Sequence, residues 1–124
     1  MRILRACIST RPVPSSDVLF HYVVVRRDLP IGLLAAMLVH AAGESSPGNL
    51  PEDTHAVVLA VPGEAELEAL SVRLRAAGVD VRRIVEPDPP WSGALMALGV
   101  RPGPRGDLRR VLSDVPLFRG CSST

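Results

Sequence analysis

His40 has Ala36, Met37, Gly43 and Glu44 three and four residues to either side. On a helix those positions surround it, so the imidazole lies among small side chains and within reach of one carboxylate. Histidine is the side chain best suited to moving a proton near neutral pH, and Glu44 would fix its tautomer. The competing reading is a helical histidine without a chemical role. A second group is Glu86-Pro87-Asp88-Pro89-Pro90-Trp91-Ser92-Gly93. It sets two carboxylates in a proline-stiffened loop after a strand, where α/β sheets place their ligands. The plainer alternative is a solvated acidic turn. Trp91, the only tryptophan, offers either a stacking platform for a base or a core or lid side chain.

Arginine supplies the third signal. All 14 basic residues are Arg and the chain has no Lys, which excludes a Schiff-base lysine, a lysine general base and a P-loop. Arg26 and Arg27 end one apolar run, Arg82 and Arg83 lie in another, and Arg101, Arg105, Arg109 and Arg110 follow the last. Between residues 73 and 110 eight Arg face four acids, whereas residues 44 to 68 carry six acids and no Arg. That asymmetry would turn one side of the domain toward a phosphate backbone, or would merely solvate a face. The net charge of +1 announces no strong field.

Other chemistries are excluded by their absent patterns. There is no G-x-G-x-x-G, no G-x-S-x-G elbow and no H-E-x-x-H. His21, His40 and His55 lack metal spacing, and Cys7 and Cys121 alone build neither a zinc module nor a disulfide framework. No cofactor and no metal is therefore expected, and the two thiols are expected to be reduced. No apolar run approaches the ~18 residues of a membrane span. Met1-Arg2-Ile3-Leu4-Arg5 lacks the apolar stretch of a signal peptide, so a cytoplasmic protein without membrane contact is expected.

The elements that must position these residues follow from hydrophobic period. Residues 1–18 read as a poorly ordered extension, 19–119 as one α/β domain and 120–124 as a tail. Leu19 to Val25 is a strand buried on both faces. Pro30 and Gly32 turn the chain into a helix from Gly32 to Ala42, with Ile31, Leu34, Ala35, Leu38, Val39 and Ala42 as its inner stripe. His55 to Val61 is a second strand. Pro62-Gly63 opens a helix with Glu64, Glu66 and Glu68 at its positive end and Leu67, Leu70, Leu74 and Ala77 inside. Val79 to Val85 and Ala94 to Val100 are strands close enough for a hairpin, and Arg105 to Ser113 makes a closing helix. The order β-α-β-α-β-β-α predicts a small mixed four-stranded sheet with helices packed on it.

Tyr22-Val23-Val24-Val25-Arg26-Arg27-Asp28-Leu29-Pro30-Ile31-Gly32-Leu33-Leu34-Ala35-Ala36-Met37-Leu38-Val39-His40-Ala41 resembles the opening strand, turn and helix of the archaeal and eukaryotic type (type 2) of peptidyl-tRNA hydrolase. Its V-R-x-D-L, glycine turn and A-A-x-x-x-H-A carry the likeness. Glu86-Pro87-Asp88 resembles the second motif of divergent bacterial members, and the likeness spans residues 20 to 118. It implies hydrolysis of the ester between a peptidyl group and tRNA in the cytoplasm, with tRNA as the partner and a homodimer unsurprising. Carried over, the histidine is His40, the acid Glu86 or Asp88, and the hydroxyl Ser92. The family's lysine falls at Leu33 and its glutamine at Met37. Arg26 or Arg27 would then supply the missing charge, with Gly32, Arg82, Arg83 and Trp91 as further substrate contacts. The alternative is a non-catalytic tRNA-binding or protein-interaction module that has lost the lysine.

Overall fold

The computed structural model describes residues 18–120. The expectations for the first 17 residues, the last four, Cys7 and Cys121 lie outside them. Strand β1 (Leu19–Arg26), helix α1 (Ile31–Ser45), strand β2 (His55–Val61), helix α2 (Glu64–Ala76), strands β3 (Val81–Glu86) and β4 (Ala94–Val100), the two-residue β5 (Gly103–Pro104) and helix α3 (Arg105–Leu112) follow in chain order. The sheet runs β2-β1-β4-β3, with β5 added beside β1. β1 and β2 are parallel, whereas β4 runs antiparallel to both β1 and β3. The expected mixed α/β architecture is present.

β1 and β4 are central because their apolar runs leave no side that tolerates water. In β1 the side chains of Tyr22 and Val24 join Leu67, Leu70, Leu74, Leu108 and Leu112 under α2 and α3. Those of Val23 and Val25 meet Leu34, Met37 and Ala41 of α1. The pairing shifts register between Ile84 and Val85. Ile84 pairs with Ala97 and Val85 with Leu95, so Met96 is the extra residue of a bulge, and it shares the α1 side with Ala97.

Helix α1 is rotated from its expected face. The buried residues are Leu34, Met37, Ala41 and Ser45, while Ile31 and Val39, expected inside, are 61% and 74% exposed. Gly99 of β4 explains the choice of contact. A Cβ there would clash with the Ala41 carbonyl and lie 2.6 Å from Ser45 Oγ, so the glycine lets helix and sheet backbones touch. Ser45 Oγ donates to the Ala41 carbonyl at 2.7 Å. Its lone pairs then accept from His21 Nε2 at 2.8 Å, which selects the Nε2–H tautomer of that buried imidazole. Burial holds the His21 pKa below its ordinary value.

The C-terminal stretch returns along β2. Ala60 N donates to the Pro116 carbonyl at 3.0 Å and Phe118 N to the Val58 carbonyl at 2.9 Å, and Leu59 bridges Leu117.

Candidate functional site

Because β1, β2 and β3 point the same way, one end of the sheet collects Arg26, the entry to α1, the Pro62-Gly63 entry to α2 and the Glu86–Gly93 loop. Arg26 is 8% exposed. Its Nε and Nη2 donate to Asp28 Oδ1 and Oδ2 at 2.7 and 2.9 Å, and its Nη1 donates to the Leu95 carbonyl at 3.2 Å. The same Nη1 is 3.8 Å from Glu64 Oε1. The guanidinium carbon lies 5.5 Å from the Trp91 ring centroid, a cation–π distance. Glu64 Oε2 accepts the Leu95 N–H at 2.9 Å, so α2 is tied to the start of β4 through one carboxylate.

Within this cluster Arg26 and Asp28 match each other's charge. Hydrogen bonds from Arg26 hold the Asp28 carboxyl below the usual carboxylate range, against the opposing pull of partial burial. The hydrogen bond with Asp28 raises the Arg26 pKa in turn. Arg26, expected to meet substrate, lies buried in a bidentate pair with Asp28. Arg83 is engaged likewise: its Nη1 and Nη2 donate to Glu68 at 2.7 and 3.1 Å. Arg82 lies 3.3 Å from Asp80. Arg27 is exposed and makes no ion pair among the described residues.

In the loop, Glu86 Oε2 accepts the Asp88 N–H at 3.1 Å. The Gly93 N–H returns to the Glu86 carbonyl at 2.8 Å and the Ser92 N–H to the Asp88 carbonyl at 3.0 Å. Glu86 thus braces the loop while Asp88 stands exposed at its tip. Ser92 is exposed with a positive φ of 46°. Trp91 is half-buried against the α1-side core, which favours its packing reading.

The start of α1 bears on the missing lysine. Leu33 packs against the core and offers nothing to an anion. Pro30 caps the helix without a side-chain bond, and no acid occupies the first turn. The amides of Ile31, Gly32 and Leu33 therefore have no partner within the helix, and Gly32 is exposed.

His40 is not brought to this end. It is exposed and lies nine residues into α1, about 13 Å along the axis from Ile31. Its neighbour Ala41 packs at Gly99, whereas Glu86 pairs with Ala94. Those two positions of β4 are roughly 16 Å apart at strand rise. His40 forms neither a hydrogen bond nor an ion pair with Glu44 among the described residues. Asp28 and Glu64 were missed as site residues. The Arg-x-Asp spacing was a usable signal for Asp28, but the tie from Glu64 to Leu95 had no local one.

Among the described residues, no group of three or more His, Cys, Asp or Glu side chains is placed to hold a metal ion, and no helix is long and apolar enough to cross a membrane.

Fold and site together define a mixed-sheet α/β protein with a braced, charge-rich end. No family model matches the chain, and no curated protein matches it. Among solved structures it is similar to Atu0240 from Agrobacterium tumefaciens strain C58, described as a protein of unknown function. The TM-score is 0.53 at 14% identity, over 83% of this chain and 98% of that one. The likeness shows the fold.

Proposed function

We propose that the chain is a peptidyl-tRNA hydrolase-like enzyme that cleaves the ester between an acyl group and tRNA in the cytoplasm. The reaction is assigned to the sheet end where β1 and β3 finish. The observation that carries it is the uncapped start of α1, directly after Arg26-Arg27-Asp28 and at the same sheet end as Asp88. Free amides at a helix N-terminus carry partial positive charge. They stabilise the oxygen that becomes negative when water attacks the ester carbonyl, in place of the family's lysine. Asp88 accepts the proton of that water, Glu86 holds the loop, and Arg27 meets phosphate. The proton then passes to the ribose oxygen as the ester bond breaks. His40, at the other end of the sheet, touches the tRNA body rather than the reacting atoms.

The test is release of peptide from an N-blocked aminoacyl-tRNA by the wild-type chain, Asp88→Asn and His40→Ala. Turnover lost in Asp88→Asn and kept in His40→Ala supports the assignment. Absence of turnover in the wild type, beside an active control hydrolase, overturns it. Leu33, apolar where the family carries a cation, favours a second reading: a tRNA-binding or protein-interaction module without catalysis. That reading predicts salt-dependent tRNA binding with no product.

A further inference from the structure

A second surface lies away from that end, where β1, β2 and α3 enclose a groove of about 290 Å³. Phe20, Tyr22, Arg105 and Arg109 line it. Phe20 and His55 are partners in the parallel pairing of β1 with β2. Their rings stack at 4.8 Å between centroids and 11° between planes. Tyr22 follows at 6.3 Å from Phe20, and the Arg105 guanidinium carbon sits 5.5 Å from the Phe20 centroid. His55 is exposed at the outer end of this stack. Neither Arg105 nor Arg109 makes an ion pair among the described residues, whereas Arg26, Arg73 and Arg83 are each matched by a carboxylate within 2.8 Å.

We propose that this groove, with the exposed His55 ring beside it, binds a nucleoside 5′-phosphate, its base continuing the Phe20–His55 stack on the outer face of His55 and its phosphate held at the groove by Arg105 and Arg109. Each part answers a different half of the ligand. A flat, partly exposed aromatic ladder attracts any base through its π-face. Two unmatched guanidiniums, one turn apart on α3, reach a phosphate through their donor forks. The groove is at the small end of ligand-site volumes and holds one platform and two cations, which suits a single nucleotide rather than a strand. This site is independent of ester hydrolysis at the opposite end.

The experiment is calorimetric titration of the full chain with AMP, ribose 5-phosphate and an adenine pentanucleotide. Arg105→Ala/Arg109→Ala and His55→Ala are titrated alongside; all three residues are exposed, and circular dichroism checks that the variants fold. The expected result is one AMP per chain, with ribose 5-phosphate at least tenfold weaker. The double variant weakens AMP at least tenfold and His55→Ala several-fold, while Asp88→Asn leaves it unchanged. No saturable AMP binding, equal binding of ribose 5-phosphate, or unaltered affinity in the double variant overturns the proposal. Binding of the pentanucleotide a hundredfold tighter than AMP overturns it in favour of a strand.

Discussion

Replacing Gly99 by Ala tests the close approach of α1 to β4. The added Cβ meets the Ala41 carbonyl, Ser45 Oγ at 2.6 Å and Ser45 Cβ at 2.8 Å. Only the hydroxyl of these can swing away, and moving it breaks the bonds to Ala41 and His21. Overpacking of a tight core costs about 1–3 kcal/mol, and each lost buried hydrogen bond adds about 1 kcal/mol. The sum is about 3–5 kcal/mol, or a fall in Tm of roughly 12–20 °C for a domain of this size. Urea denaturation and a thermal melt read it. Gly106→Ala is the control, since no atom lies within 4 Å of its added Cβ, and it is expected to be neutral or slightly stabilising. A Gly99→Ala midpoint within about 1 kcal/mol of wild type would refute the contact between α1 and β4.

Three further outcomes are expected. Asp28→Ala strands the Arg26 guanidinium, whose side chain is 10% exposed, and should cost about 3 kcal/mol in urea denaturation. Glu68→Gln, at an ion pair with its carboxylate 45% exposed, should cost less than about 1 kcal/mol by the same measurement. The pH dependence of stability should carry the mark of His21. Its folded pKa is below the ordinary 6.5, so the unfolded chain holds the proton more tightly. Stability is complete above about 6.5, falls as pH drops toward the folded pKa and then levels. That slope, read by denaturation across pH 5 to 8, should vanish in His21→Gln.

The strands were legible because β1, β2 and β4 are largely apolar runs, and because turn residues bound them. Parallel crossover and closing hairpin followed from segment lengths. The face of α1 was not legible. Between Ile31 and Ala42 its only polar side chain is His40, so hydrophobic period has little to phase against, and Gly99, fifty-four residues beyond Ser45, decides the rotation. β5 escaped notice as Gly103-Pro104, two residues that carry no strand pattern. At the candidate site, the acidic loop and the R-x-D motif could be read. The pairing of Arg83 with Glu68 and the approach of Glu64 to Arg26 could not, because both depend on how α2 crosses the sheet.

The return of residues 116–118 along β2 has a consequence for self-association. An edge strand presents unpaired amides and carbonyls to which another chain can add, and Val57-Val58-Leu59-Ala60-Val61 is apolar enough to invite it. The bonds from Ala60 and Phe118 occupy that row with the protein's own backbone. Among the described residues the opposite edge has no such cover. There β3 carries Arg82 and Arg83 and is irregularly paired beside its partner's bulge, which discourages docking by charge and twist. Edge-to-edge addition is thus opposed by a strap on one side and by arginine on the other, and loss of the strap would expose the β2 row to another chain.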